Sequence, residues 1–463
     1  MNILRAEHIA PHREQFTQEL LRFCSQPSIS STGEGMQAMS RMMADRLRRL
    51  GARTQTFTVG QSYPYIFAEI GEGPRTLLVY NHYDVQPARR EDGWLNDPFA
   101  PEIRDGRVYA RGVADNKGNL LFRLHAIEAY CAAYGSLPLR VCFVIDGEEE
   151  IGSPHLTRFV HQHNDLIRAD GCIWESGRKG DDDRPLLQLG VRGILFLELS
   201  IHSPANEIHS SWANIVENPS FMLMDRLRRA LETLTDAAGR PTFDNLLHDL
   251  PTPSEADLTL LETVPFDLAT FQIERGVLLR DGMTTPREAL RRLFFEPTCN
   301  VCGFSVGYGA PGVKTVIPNR AVAKLDFRLP PGLTPDMVEA HLRRHLHTHG
   351  FDDVYVERLG ALLPARTPTD ADIVRVTREA VSSVYGIEPI VHPTMPASGP
   401  MYELCHANGI PALTFGAGHA GDNVHAANEN IYLDDYFQAM QAFGEILWRF
   451  SQNGSSGATG DGQ

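Results

Sequence analysis

The stretch that decides the fold is residues 79–87, Val-Tyr-Asn-His-Tyr-Asp-Val-Gln-Pro. Residues 75–80 are apolar and partly β-branched, and they follow a Gly-Glu-Gly-Pro turn, so they predict a buried strand. His82 and Asp84 then lie at the carboxyl end of that strand, which is where open α/β sheets bind ligands. Because alternate residues of a strand point the same way, the carboxylate of Asp84 can orient the imidazole of His82. A histidine that is simply hydrogen-bonded to an aspartate in a loop explains this pair, taken alone, equally well.

Composition limits the class of protein. The chain has 463 residues, of which 42% are hydrophobic and 22% charged, as in a globular protein of two or three domains. A formal net charge of -15 disfavours binding to nucleic acid or to an anionic membrane surface. We also expect neither a membrane span nor a signal peptide, because no apolar run has the required length and residues 1–16 are mixed and polar.

Two groups of potential metal-binding residues are assigned structural roles. The seven cysteines are scattered and odd in number, which predicts reduced core thiols and a cytoplasmic location. Cys299 and Cys302 are the only close pair, and no second pair completes a zinc site. Residues 335–349 predict a helix, and we interpret its four histidines as a solvated face.

Alternating helix and strand patterns predict an α/β fold, with a mostly parallel sheet and helices on both faces. The middle of the chain differs. Residues 190–201 predict one long strand, and a βαββαβ-like order with an insertion follows, which indicates a separable α+β unit. We therefore expect a catalytic domain in two parts, residues 1–192 and 363–452, interrupted by an inserted domain, residues 193–362. The Gly/Ser-rich residues 453–463 predict a disordered tail.

Four further polar motifs follow predicted strands or border tight turns. Residues 111–118 form a glycine-bounded turn before a helix, and residues 146–153 place three consecutive glutamates directly after a strand. Residues 170–177 end an apolar run in a glutamate, and residues 416–425 place a histidine in a glycine-rich loop. Adjacent carboxylates at strand ends repel one another unless a cation is present. For each motif taken singly, a solvated polar loop is the alternative.

Together the motifs supply two imidazoles and three carboxylates, namely His82, Asp115, Glu150, Glu175 and His425. A nitrogen and oxygen ligand set of this kind suits zinc, manganese or cobalt. Two ions need one bridging carboxylate and two further ligands each, which accounts for five residues. A neighbouring carboxylate, Glu149, then remains as a general base.

These motifs resemble those of the di-zinc metallopeptidase family that contains carnosinase-type dipeptidases, aminoacylase, succinyl-diaminopimelate desuccinylase and carboxypeptidase G. The similarity extends from about residue 27 to residue 425, and it is most specific in residues 82–87, 112–118 and 149–153. The first of these segments is most similar to the dipeptidase branch. The resemblance implies a hydrolase that cleaves the amide bond of dipeptides or short peptides with a free C-terminal carboxylate, using a metal-bridged water activated by a glutamate.

The resemblance also implies a role for each ligand. One divalent ion would be held by His82 and Glu175 and a second by Glu150 and His425, with Asp115 bridging the two. Zinc is the expected ion, and manganese and cobalt are the alternatives.

Three further details follow from the same resemblance. Glu149 would be the general base, Asp84 would position His82, and the peptide bond after Asp115 would be cis. The run of three glutamates leaves the register open. We anchor the register on the Gly-Ser pair at 152–153, which makes Glu148 a bystander.

In this family the inserted domain forms a lid and the dimer contact, so the resemblance implies a homodimer. His209 would stabilise the oxyanion in the site of the neighbouring subunit, and a polar turn is the alternative interpretation of this residue. The candidates for holding the carboxylate or backbone of the substrate are Arg328, Ser398, Gly399 and Asn319.

One position departs from the dipeptidase pattern. In the family, aspartate at the position of Glu175 accompanies dipeptidases and aminopeptidases, whereas glutamate accompanies carboxypeptidases and deacylases. The alternative activity is therefore a deacylase or carboxypeptidase-like one, and the expected substrate is a small peptide or an N-acyl amino acid. A non-catalytic binding protein on the same fold is the alternative from a different class.

Overall fold

The computed structural model describes residues 3–280 and 282–452. Its helices are α1 (Ala6–Ile9), α2 (Arg13–Cys24), α3 (Met36–Arg49), α4 (Lys117–Tyr134), α5 (Leu156–His163), α6 (Ser220–Glu232), α7 (Glu255–Thr263), α8 (Leu268–Arg275), α9 (Pro286–Phe295), α10 (Pro335–Thr348), α11 (Asp372–Tyr385), α12 (Met401–Leu404) and α13 (Leu433–Gln452).

Its strands are β1 (Arg53–Phe57), β2 (Tyr65–Ile70), β3 (Thr76–His82), β4 (Glu102–Arg104), β5 (Arg107–Tyr109), β6 (Arg140–Asp146), β7 (Gly171–Trp174), β8 (Arg178–Lys179), β9 (Pro185–Gln188), β10 (Gly190–Val191), β11 (Gly193–His202), β12 (Ile208–His209), β13 (Asn300–Val306), β14 (Val316–Ile317), β15 (Arg320–Leu329), β16 (Val354–Leu362), β17 (Ala365–Arg366), β18 (Ile390–His392), β19 (Ala412–Thr414) and β20 (Asn430–Tyr432).

The chain divides into two compact units. The first contains residues 3–190, 366–393 and 400–452, and the second contains Val191–Ala365 and Thr394–Gly399. The second unit is thus inserted into the sequence of the first. The predicted tail, residues 453–463, lies outside the described residues. Within the described ranges, no helix combines the length and the apolar character needed to cross a membrane.

The first unit is built on a sheet whose central strands, β6, β3, β7 and β19, are adjacent and parallel. Strands β2 and β1 extend one side in antiparallel fashion, and β9, β18 and β8 extend the other. Helix α13 packs against α4 and α11, and these two helices contact the central strands β3, β7 and β19. The predicted α/β class with a mostly parallel sheet is confirmed.

Strand β3 explains how this sheet gathers polar side chains. Its last six residues are all buried, because a central parallel strand is covered on both faces and does not alternate between apolar and polar residues. The pairing register places His82 level with Asp146 of β6, and Val79 level with Ile173 of β7. Since the strands are parallel, the segments that leave their carboxyl ends meet at one edge of the sheet.

The second unit contains a four-stranded antiparallel sheet in the order β13-β15-β11-β16. Helices α6 and α10 pack on this sheet. The order β11, α6, β13, β15, α10, β16 is the predicted βαββαβ pattern, and α7 to α9 form the insertion. Strand β15 alternates between buried and more exposed residues, as expected when one face of an antiparallel sheet lies on a core.

Two strand predictions differ from the structure. The long strand predicted at residues 190–201 is interrupted at Arg192, whose buried guanidinium donates to the backbone carbonyl oxygens of Leu293, Glu296 and Arg328. The prediction also omitted β2, which lies between β1 and β6. Pairing partners far away in the sequence decide both features, and a local pattern does not contain them.

Two structural assignments also need correction. The histidines of α10 do not all form a solvated face, because His345 is buried and its Nε2 lies 2.9 Å from Thr233 Oγ1. The seven cysteines are free thiols as predicted, but Cys302 is exposed rather than part of a core. It lies on β13, at one edge of the sheet of the second unit.

The core of the second unit predicts a difference between two leucines. Leu325 on β15 is completely buried in the core cluster, whereas Leu359 on β16 is 50% exposed. We expect Leu325→Ala to lower the free energy of unfolding by about 2 to 5 kcal/mol, because it removes buried methyl groups and leaves a cavity. Leu359→Ala should change it by less than about 0.5 kcal/mol. Urea unfolding followed by circular dichroism measures both, and equal effects would contradict the assigned core.

Candidate metal centre

Asp115 lies at the centre of a group of histidines and carboxylates in the first unit. Its Oδ1 is 2.9 Å from His82 Nε2, and its Oδ2 is 3.2 Å from His425 Nε2. Each histidine also faces a second carboxylate. Glu175 Oε2 lies 3.6 Å from His82 Nε2, and Glu150 Oε2 lies 3.0 Å from His425 Nε2. The two oxygens of Asp115 therefore face two different histidine–carboxylate pairs.

The donor atoms of this group fit a metal centre. One ligand atom from each of His82, Asp115 and Glu150 lies within 4.8 Å of the other two. Two buried carboxylate oxygens, Glu150 Oε1 and Glu175 Oε2, have no hydrogen-bond partner among the described residues. A buried carboxylate oxygen without a donor is destabilising, and a divalent cation supplies the missing interaction.

The electrostatics of the cluster lead to the same conclusion. Burial and the neighbouring carboxylate of Glu175 raise the pKa of Glu149 well above its usual value. Burial also raises the pKa of Glu175 to about 8. Burial opposes ionisation of Asp115 too, but hydrogen bonds from His425 and His82 hold its pKa well below the usual range. Carboxylates that oppose each other's ionisation in this way are stabilised together by a cation.

Asp84 is fully buried and connects His82 to the glutamate turn, residues 149–151. Its backbone oxygen and its Oδ1 lie 3.1 and 3.3 Å from His82 Nδ1. The backbone N–H groups of Glu149 and Glu150 donate to its carboxylate at 3.2 and 3.0 Å. Strand β3 ends at His82, so the contact with His82 arises in the following loop rather than from strand alternation.

Glu429 was not predicted, and it connects two loops that carry candidate ligands. Its Oε1 accepts hydrogen bonds from the backbone N–H groups of Ala114 and Asp115, at 2.8 and 2.9 Å. Its Oε2 accepts from Gly112 N at 3.0 Å and from Arg111 Nη1 at 2.7 Å. Glu429 follows the glycine-rich histidine loop in the sequence, where no periodic pattern distinguishes it from a solvated acid.

Glu148, expected to be a bystander, has a structural role. Its side chain is buried, it accepts a hydrogen bond from Tyr65 Oη at 3.1 Å, and it lies 2.9 Å from His155 Nδ1. These contacts hold the start of the turn that presents Glu149 and Glu150. The available signal was that Glu148 lies only two residues after the end of buried strand β6.

Backbone conformation at the ligand loops is unusual at two places. The peptide bond between Asp115 and Asn116 is cis, as the resemblance implied. His425 has a φ of 63°, in the left-handed region that few residues other than glycine adopt. With this backbone conformation, the His425 ring contacts Asp115 and Glu150.

Arg328, Ser398 and Gly399 belong to the second unit. Arg328 Nη1 donates to Ser398 Oγ at 2.8 Å, and Ser398 Oγ donates to Gly193 O at 3.2 Å. Gly399 is the last residue of the same segment, Thr394–Gly399. The structure thus places a partly buried guanidinium beside a hydroxyl, an arrangement that suits recognition of a carboxylate.

His209 and Asn319 also belong to the second unit. His209 lies on β12, which pairs with β14, and its Nε2 is 3.1 Å from Thr315 Oγ1. Its Nδ1 accepts a hydrogen bond from Ser211 N at 3.1 Å. Asn319 Nδ2 donates to Ala205 O at 3.2 Å. Both side chains are therefore anchored by local contacts.

Comparison with known proteins identifies the class. A family model described as peptidase family M20/M25/M40 matches residues 78–449. The chain belongs to this family, and it is a metal-dependent peptidase.

Individual relatives support this assignment over nearly the whole chain. Beta-Ala-His dipeptidase of Rattus norvegicus is 28% identical over 480 residues, covering 96% of this chain and 95% of the relative. Cys-Gly metallodipeptidase dug1 of Schizosaccharomyces pombe is 26% identical over 479 residues, covering 94% and 96%. An M20 family metallo-carboxypeptidase from Sulfolobus solfataricus has a solved structure with a TM-score of 0.85 and 34% identity, covering 94% of this chain and 99% of that chain. The resemblance stated from the motifs is confirmed.

The contacts of Asp84 predict its effect on metal binding. Asp84→Asn replaces one carboxylate oxygen by an NH₂ group. This group cannot accept a hydrogen bond from the backbone N–H groups of the glutamate turn. We expect the affinity of the metal-free protein for Zn²⁺, measured by calorimetry, to fall about 10- to 100-fold.

The matched control is Asp97→Asn, since the carboxylate of Asp97 is exposed and accepts a hydrogen bond from Phe99 N at 2.8 Å. The control should bind Zn²⁺ like the unmodified protein. Equal affinities of the two variants would contradict the role of Asp84.

Proposed function

We propose that the protein is a di-metal dipeptidase that hydrolyses dipeptides or short peptides with a free C-terminal carboxylate. The observation that carries the proposal is the position of Asp115, whose two oxygens face two separate histidine–carboxylate pairs. His82 and Glu175 would hold one ion, Glu150 and His425 would hold the other, and Asp115 would bridge them. The nitrogen and oxygen donor set favours zinc, with manganese or cobalt as alternatives.

The mechanism follows from the groups that surround the centre. When bound, the ions polarise the carbonyl of the substrate and lower the pKa of the attacking water. Glu149 takes the proton from that water and later delivers it to the nitrogen of the leaving amine. Glu149 is not one of the five assigned ligands, so its carboxylate remains free to accept and return a proton.

Residues of the inserted unit would recognise the substrate. We assign the carboxylate of the substrate to the Arg328 guanidinium, with Ser398 and Gly399 beside it and Asn319 as a further contact. His209 would donate a hydrogen bond to the developing oxyanion. We also propose a homodimer formed through this unit, with His209 acting in the site of the neighbouring subunit, and a reducing, cytoplasmic compartment that suits the free cysteines.

The second candidate activity is hydrolysis of N-acyl amino acids or carboxypeptidase-like cleavage. Glutamate at position 175 favours it, as does the similarity to the Sulfolobus solfataricus metallo-carboxypeptidase. The similarities to Beta-Ala-His dipeptidase and Cys-Gly metallodipeptidase favour the dipeptidase.

A substrate panel after loading with Zn²⁺ or Mn²⁺ decides between the two activities. We expect hydrolysis of dipeptides such as β-alanyl-histidine and cysteinyl-glycine, and little hydrolysis of acetylated or succinylated amino acids. The dipeptide amides are the matched control, because they lack the carboxylate assigned to Arg328 and should be poor substrates. Turnover of the acylated amino acids alone would replace the proposed activity by the second candidate.

Two neighbouring glutamates provide a prediction about the register of the site. Glu149→Gln should retain two ions per subunit but lose about 10²-fold or more in kcat, because a general base is removed without removing a ligand. Glu150→Gln should lose one ion. Elemental analysis after gel filtration, together with kinetics, measures both. Retained metal in Glu150→Gln and lost metal in Glu149→Gln would shift the register by one residue.

Complementation tests whether His209 acts across a dimer. His209→Ala and Glu149→Gln subunits, each inactive alone, are mixed and allowed to exchange. In a two-fold dimer each mixed pair regains one intact site, so an equal mixture should recover about a quarter of the wild-type activity. Labelled subunits verify that exchange occurs. Exchange without recovered activity would place His209 in the site of its own chain or outside catalysis.

A further inference from the structure

Arg123 is a fully buried arginine in the middle of helix α4. Its neighbours in the sequence, residues 120–122 and 124, are apolar and buried. Its guanidinium donates hydrogen bonds to the side-chain oxygen of Asn81 and to four backbone carbonyl oxygens, those of Tyr80, Trp174, Glu175 and Phe415. A cation that costs free energy to bury is thus held mainly by neutral oxygens.

The acceptors of Arg123 lie at the carboxyl ends of three adjacent parallel strands. Nη1 donates to Asn81 Oδ1 at 2.6 Å and to Tyr80 O at 3.3 Å, at the end of β3. Nη2 lies 2.9 and 2.6 Å from the carbonyl oxygens of Trp174 and Glu175, at the end of β7. It also lies 2.6 Å from Phe415 O, just after β19. One guanidinium therefore sets the relative positions of these three strand ends.

Two of these contacts are adjacent to candidate metal ligands. The carbonyl of Glu175 belongs to a ligand residue itself, and Asn81 immediately precedes His82. Asn81 Nδ2 in turn donates to Asn116 Oδ1, which extends the connection to the residue after Asp115. By contrast, Glu150 is held by two other residues. Its backbone N–H donates to the Asp84 carboxylate, and its Oε2 accepts a hydrogen bond from Gln86 Nε2 at 2.9 Å.

We propose that Arg123 is a positioning residue for one half of the metal centre, the half formed by His82 and Glu175. This inference rests on the proposed assignment of ligands to two ions. Arginine suits the task because its planar fork carries five N–H donors in fixed directions, whereas lysine offers a single ammonium group. The guanidinium also places a positive charge behind the buried carboxylates, which reduces their mutual repulsion.

The test measures each metal affinity separately in the chelator-stripped full-length protein. Zn²⁺ titration by calorimetry gives the two dissociation constants, and Co²⁺ absorption gives a spectroscopic signature for each ion. Glu175→Ala identifies which signal belongs to the His82 half. We expect Arg123→Met to weaken that ion about 10- to 100-fold and to leave the other within about twofold.

Two further variants separate positioning from general stability and from charge. Arg46→Met removes another buried arginine of the same unit, which pairs with Glu19 at 2.7 Å and with Glu128. It should lower thermal stability while both ions bind normally. Arg123→Lys retains the charge without the fork, and it remains informative if Arg123→Met does not fold. We expect it to weaken the same ion selectively.

The outcomes distinguish this inference from the proposed function. Binding of a single ion by the unmodified protein would overturn the di-metal function. Two ions in the unmodified protein with unchanged affinities in folded Arg123→Met would overturn only the role of Arg123. Wild-type affinity for both ions in Arg123→Lys would also overturn it, because charge without the fork would then suffice. Equal weakening of both ions by Arg46→Met and Arg123→Met would show a general loss of stability instead.

Discussion

Carboxylates buried together at the end of a parallel sheet impose the constraint on which this structure depends. Burial, together with the neighbouring carboxylates of Asp115 and Glu150, raises the pKa values of Glu149 and Glu175. Two imidazoles offset part of this effect, with one facing each oxygen of Asp115. Glu150 Oε1 and Glu175 Oε2 have no hydrogen-bond partner among the described residues, and a divalent cation would supply one.

The sheet makes this concentration of charge possible. The segments that carry the candidate ligands are far apart in the sequence, yet parallel pairing brings the ends of the central strands to one edge of the sheet. His82, the last residue of β3, is level with Asp146, the last residue of β6. The glutamate turn begins three residues after Asp146 and therefore lies close to His82. Thr414 pairs with Trp174, which brings the segment that leads to the histidine loop beside Glu175. Backbone hydrogen bonding thus determines side-chain proximity between residues that are far apart in sequence.

A set of buried polar residues behind the candidate ligands connects these segments to one another. Asp84 joins His82 to the glutamate turn. Glu429 joins the Asp115 loop to the histidine loop, and Arg123 joins three strand ends. Strand ends and tight turns leave backbone N–H and C=O groups without ladder partners, and a buried group of this kind must find one. A single charged side chain that satisfies several of them removes that cost and restricts how far the neighbouring candidate ligands can move.

The amino-acid sequence by itself determined the α/β class, the inserted βαββαβ unit, the family and the candidate ligands. These features are local, because apolar runs ending in His, Asp or Glu are visible without knowledge of their partners. The sequence did not reveal β2, the break at Arg192, or the roles of Glu429, Glu148 and Arg123. Each of those depends on contacts between segments distant in the chain. The sequence alone does not distinguish a buried arginine or glutamate from a solvated one. Only the tertiary structure decided which charged residues lose water, because burial is a property of the packed fold and not of the local pattern.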